Sequence, residues 1–194
     1  MSNFIYTTEF VNDVLKHKSI LSDTLIKEIS YYYEELNTIK VFQDSLYLSA
    51  SLVDSLPGTK DQKNGNMTDR TFETINSKDF INSNNRKIEL LSQIKKAEKK
   101  YRYQTRVIDV YGSLSTTFPI HWNIVHDTLV KRSDSYRAAA QKYFINKDQI
   151  KIYTEEMIEI VTDLCNSQYT VADSDRISDF MSEENYKKVC VREH

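Results

Sequence analysis

Apolar side chains recur along most of this chain at steps of three and four, the spacing that lays them on one face of an α-helix. From Ser22 or Asp23 to about Asp54, the series Leu25, Ile26, Ile29, Tyr32, Tyr33, Leu36, Ile39, Phe42, Leu46, Leu48, Leu52 and Val53 makes a long amphipathic stripe. Neither Pro nor Gly interrupts it, which points to coiled-coil-like packing. A short helix over 8 to about 17 is predicted ahead of it by Phe10, Val11, Val14 and Leu15. The stripe stops at Leu56-Pro57-Gly58, and the polar stretch that follows, with Gly65 and few apolar anchors, reads as a linker or ordered loop.

Helical periodicity resumes near Ser83 or Asn84, with Ile88, Leu91, Ile94, Tyr101, Val107, Ile108 and Tyr111 on one side and Gly112 as a stop. Pro119 can open another helix carrying Ile120, Trp122, Ile124, Val125 and Leu129. After the polar joint Ser133-Asp134-Ser135, the stretch 134–163 reads as a helix, a tight corner and a second helix. Tyr136, Ala139, Ala140 and Tyr143 share a face whose alanines let a neighbour approach closely. Phe144 and Ile145 break the polar pattern, and Asn146 can cap a helix with Ile150, Tyr153, Met157, Ile160, Val161 and Leu164 on its stripe. That is the pattern of a helix-turn-helix.

The expected architecture is therefore all-α: an N-terminal helical, coiled-coil region over 1–56, a polar spacer over 57–83, a helical domain over 84–165 with the helix-turn-helix at 134–163, and an acidic tail over 166–194 with one short helix around 177–189. The content of 3 Gly and 2 Pro argues against a turn-rich sandwich or barrel and against a Gly-rich phosphate loop. At 194 residues and 40% hydrophobic, the chain can build a real core, as one moderate domain or two small ones.

Charge changes the picture. A formal net charge of -2 conceals a basic middle: residues 84–153 carry 14 Lys/Arg against 6 Asp/Glu, while 1–83 carry 8 against 12 and 154–194 carry 4 against 10. A basic segment ending inside the second helix of the corner is the electrostatic footprint of DNA binding, although a solvated basic helix face has the same composition. In a helix-turn-helix the residues at the start of the second helix meet base edges and phosphates in the major groove. The candidate contacts are Asn146, Lys147, Gln149 and Lys151, with Gln suited to adenine and Lys to guanine or phosphate. Arg137, Lys142, Lys131 and Arg132 are candidates for the DNA backbone.

Other chemistry is not indicated. His121 and His126 stand at i and i+5, not on one face as a zinc pair would be, and no metal or cofactor is expected. No nucleophile motif accompanies any His, and no Walker sequence is present, so an enzyme is not expected. Trp122 and the Tyr31-Tyr32-Tyr33 run read as core packing rather than stacking platforms. Cys165 and Cys190 match no ligand spacing and read as free thiols. With no membrane-length apolar run and no signal-peptide pattern at the start, a cytoplasmic location is expected.

The order of parts resembles the RinA/ArpU-type phage late-transcription regulators, whose C-terminal half resembles the DNA-binding region 4 of sigma factors. Tyr136, Ala139-Ala140, Tyr143, Ile145-Asn146 and Gln149-Ile150 carry the likeness, together with Trp122 in the preceding helix and a last helix ending near Leu164. It covers about 22–164. Phe144 departs from it, standing where the family often has Gly or another small residue, as do the acidic Glu155, Glu156 and Glu159 and the tail after Asn166. The resemblance implies a late-gene activator in the host cell cytoplasm that binds double-stranded promoter DNA. Its N-terminal helices would form a homo-oligomer or contact host RNA polymerase. The alternative is a non-catalytic helical scaffold or protein-interaction factor of a phage, and a third arrangement has the acidic tail folded over the basic face.

Overall fold

A computed structural model describes residues 4–54 and 77–187. Among these residues the chain is helical, without strands. Helices α1 (Thr8–Lys16), α2 (Lys18–Asp54), α3 (Lys78–Ser113) and α4 (Pro119–Val125) are followed by a π-helical turn (His126–Val130), α5 (Tyr136–Tyr143), α6 (Lys147–Asn166) and a 3-10 segment (Val171–Asp179). The all-α expectation holds. Two long helices begin earlier than their apolar patterns suggested, α2 at Lys18 and α3 at Lys78, so 78–83 of the expected spacer is helical; 57–76 lies outside the described residues.

The chain forms two compact units, Leu25–Lys100 on one hand and Met1–Thr24 with Tyr101–His194 on the other. The divisions expected at 56 and 83 follow loops. The units instead change partway along α2 and α3, because a long helix can serve two cores.

Within Leu25–Lys100 the two long helices run antiparallel. On α2, Leu25, Ile29, Tyr32, Leu36, Ile39, Gln43 and Leu46 alternate steps of four and three; on α3, Phe80, Ser83, Lys87, Leu90, Ile94 and Ala97 do the same. These are the less exposed positions of each helix. The Gln43 side-chain amide donates to Ser83 Oγ at 3.0 Å and sets the register. Heptad steps from that pair bring Leu36 level with Leu90 and Ile29 level with Ala97. One flank of the seam is charged: Arg86 makes a two-pronged pair with Glu35 at 2.7 and 3.1 Å and reaches Glu89. On the other flank, Tyr33 donates its hydroxyl to Glu98.

The second unit is built around α6. From Tyr153 onward nearly every side chain of this helix is buried, against α1 on one side and α4 and α5 on others. Val11, Val14 and Leu15 of α1, Val107, Val110 and Tyr111 of α3, Leu114 in the turn after it, and Met157, Ile160, Val161 and Leu164 of α6 share one apolar core. Each such side chain contributes about 1.5–3 kcal/mol by leaving water. The acidic tail joins this core through Tyr169, Ile177 and Met181. Before α1, the Asn166 side chain accepts from the Tyr6 N–H at 2.8 Å and donates to the Tyr6 carbonyl at 2.9 Å, so the start of the chain is tied to the end of α6.

The closure of α6 depends on Arg106 of α3. A helix leaves its last carbonyls without intrahelical partners. Arg106 Nε donates to the Cys165 carbonyl at 3.0 Å, and Nη2 reaches those of Leu164, Ser167 and Tyr169 at 3.0–3.1 Å. One guanidinium thus satisfies the end of α6 and the start of the tail, with its charge at the negative end of the helix dipole. Burial pushes the neighbouring Cys165 thiol up to about 12, with Arg106 opposing, which leaves that sulfur a packing atom. Arg106→Ala is expected to lower the unfolding free energy by about 3 kcal/mol, and Arg106→Lys to recover less than half of it because an ammonium cannot span the four acceptors. Urea titration followed by circular dichroism measures both; a loss below about 1 kcal/mol would contradict the clamp.

Candidate nucleic-acid interface

Helix α5 opens with Ser135, whose hydroxyl accepts from the Ala138 N–H at 3.2 Å, and runs for two turns to Tyr143. It ends because Phe144 adopts a left-handed conformation (φ 55°, ψ 36°), with its N–H bonded back to the carbonyls of Ala140 and Gln141. This position usually belongs to Gly, since a Cβ there crowds the backbone. Three residues, Phe144, Ile145 and Asn146, complete the corner, so the wider turn that a Phe in place of Gly would suggest is not used.

Asn146 then caps α6. Its side-chain oxygen accepts from the Asp148 N–H at 3.1 Å, and the Gln149 side chain accepts from the Asn146 N–H at 2.9 Å, closing a capping box. A small apolar cluster of Ile124, Ala139, Ile150 and Tyr153, flanked by Tyr136, Ala140, Tyr143 and Ile145, clasps the two helices together. It uses the alanine face and the Ile150-Tyr153 stripe. The Phe144 ring takes no part and is 95% exposed.

The sequence-derived candidates separate into two groups. Asn146, Lys147, Gln149 and Lys151 are all exposed at the leading end of α6, and Arg137 and Lys131 are exposed nearby in sequence. Lys151 stands 3.6 Å from Glu155 on the same helix, a surface pair of little energetic weight. By contrast, Lys142 is held by two carboxylates, Asp127 at 2.6 Å and Asp134 at 3.3 Å, and Arg132 donates to the Lys16 carbonyl at 2.9 Å. Those two cations join parts of the fold to one another. Of the acids that follow the basic start, Glu155 is exposed, Glu159 is half-buried and Glu156 turns inward, 3.2 Å from His121.

Asp127 is the residue for which the sequence offered no signal, because its partners lie 15 and 16 positions away. It sits on the π-helical turn that continues α4, where the Lys131 N–H reaches the His126 carbonyl at 2.8 Å, five residues back. Burial raises the Asp127 carboxyl, but hydrogen bonds from Lys142 and from the Tyr143 hydroxyl outweigh it and hold the group below the usual carboxylate range. The same turn stacks His126 on Trp122, centroids 4.4 Å apart. His126 Nδ1 is buried without a hydrogen-bond partner. Burial, reinforced by Lys131, lowers the His126 pKa below 6.5.

Among the described residues no group of His, Cys, Asp and Glu could hold a metal ion, and no helix is long and apolar enough to cross a membrane. Compared with models of known protein families, with curated proteins and with solved structures, the chain matches none.

Two measurements follow from this geometry. Phe144→Gly removes a left-handed strain of about 1–2 kcal/mol and loses no packing, against about 0.4–1 kcal/mol of added unfolded-chain entropy. The variant should therefore melt about 1–4 °C higher than the parent in a calorimeter. Trp122 is the one tryptophan of the chain. An imidazolium stacked on an indole quenches its emission, so native fluorescence should hold steady from pH 8 down to about 6.5 and fall only at lower pH. Because native His126 holds its proton less tightly than the unfolded residue, the unfolded chain takes up more protons below about pH 6.5, and this group withdraws stability as the pH falls. A fluorescence midpoint at or above that value would contradict the assignment.

Proposed function

We propose that this chain is a sequence-specific DNA-binding transcription regulator that offers the first two turns of α6 to the major groove of promoter DNA, in the manner of the phage late-gene activators it resembles, which act with RNA polymerase. One observation carries this reading: α5, its three-residue corner and the start of α6 are clasped by their own apolar cluster, while Asn146, Lys147, Gln149 and Lys151 stay exposed at the leading edge. Such a corner presents a helix N-terminus, whose positive dipole end favours phosphate, with Asp148 in its first turn offsetting part of that attraction. Lys147 and Lys151 add charge to that end, and Arg137 and Lys131 extend it along the backbone of a duplex.

Gln149 has two tasks here. Its amide oxygen accepts the cap bond from Asn146 with one lone pair, leaving a second lone pair and the amide hydrogens to meet a purine edge. The cap and the base contact are therefore compatible. Lys142 and Arg132 are assigned to holding the fold, not to the DNA. A non-catalytic scaffold is the second reading, favoured by the large apolar side chains exposed on the Leu25–Lys100 unit.

The test is selection of bound duplexes from a random pool by the full chain, followed by affinity measurements across a salt series. Lys147→Ala with Lys151→Ala is expected to weaken binding about tenfold and to lower the salt slope by about one per cation removed. Gln149→Glu, which preserves the capping box, should alter the sequence preference. A pool that yields no motif, together with an unchanged affinity in the double lysine variant, would favour the scaffold.

A further inference from the structure

The Leu25–Lys100 unit exposes apolar side chains that its own fold does not use. Its two helices meet along a seam, and among the described residues of that seam only Leu25, Gln43, Leu90, Ile94 and Ala97 are buried. One flank carries the Arg86, Glu35 and Glu89 cluster with the 43% exposed Phe42 one heptad from Glu35, and Tyr31, Val41 and Leu48 stand singly on the outer side of α2. The opposite flank bears Ile26, Tyr33 and Tyr47 from α2 and Ile81, Ile88 and Leu91 from α3, each between 39% and 60% exposed. Three of these, Ile26, Tyr33 and Tyr47, keep the seven-residue step of the seam beside them, two heptads apart in the last case, and Ile81 and Ile88 are one heptad apart on the other helix.

We infer that this apolar flank is the interface of a homodimer, in which the hairpin of a second copy lies against it to make a four-helix bundle. A repeat in step with the heptads calls for another helical surface of the same pitch, and the same chain supplies one. The exposed parts of the six side chains amount to on the order of 500 Å² per copy, about 1,000 Å² for two, which with a polar rim reaches the area of a specific interface. Charges on this flank balance: Lys40, Lys87 and Lys95 stand with Glu34, Asp44 and Glu98, so a copy meets its own image without net repulsion. A groove of about 520 Å³ lined by Tyr33, Glu34, Leu36, Asn37, Lys40 and Lys87 opens on this flank and can receive a partner side chain. The inference is independent of DNA binding.

The full chain is tested by sedimentation equilibrium or light scattering. The parent should have a mass twice the 22.8 kDa of one chain at tens of micromolar and above. Ile88→Glu with Leu91→Glu places charges on side chains exposed in the single copy. It should yield a monomer of unchanged helical circular dichroism. Val41→Glu, at a 62% exposed position off this flank, should leave the dimer intact. A parent chain that remains monomeric at about 100 µM overturns the inference, since the flank must then serve a different protein. A dimer that survives the double charge variant, or that Val41→Glu dissociates equally well, places the interface elsewhere and overturns it too.

Discussion

The end of a buried helix is the least comfortable place in an all-α fold, since its last carbonyls must leave the helix ladder without reaching water. Here a single guanidinium resolves it. Arg106 gathers the carbonyls of Leu164, Cys165, Ser167 and Tyr169, which pairs them where the buried length of α6 gives way to the exposed Asn166 and Gln168. The near end of α6, from Lys147 to Lys151, is exposed apart from Ile150 and carries both lysines of the helix.

The corner before α6 shows how local rules and long-range contacts divide the work. The alanine face and the Asn146 cap are legible from the sequence because each acts within four residues. So are the helices themselves, whose apolar steps of three and four survive as the seam of the hairpin and the buried side of α6. The roles of individual charges are not legible in that way. Lys142 reads as a free cation until Asp127 and Asp134 are brought beside it, and Glu156 reads as a surface acid until His121 faces it across the core.

The tail is a further case. The sequence reads there as an acidic tail with one short helix around 177–189, and composition says little about a stretch whose few apolar residues are well placed. Tyr169, Ile177 and Met181 suffice to seat it, with the polar residues between them facing outward. The π-helical turn, likewise, is a product of packing: the periodicity of the stretch after Pro119 gives no sign of it, yet it sets His126 against Trp122 and Asp127 within reach of α5.

The apolar residues of the second unit fall into two clusters, a large one around the buried length of α6 and a small one at the corner, with α4 and α6 contributing to both. Damage to the small cluster need not propagate. A variant that loosens the corner can still accumulate in a cell as a well-packed protein, so an inactive allele of this chain is no sign of a misfolded one, and abundance and activity should be scored as separate traits.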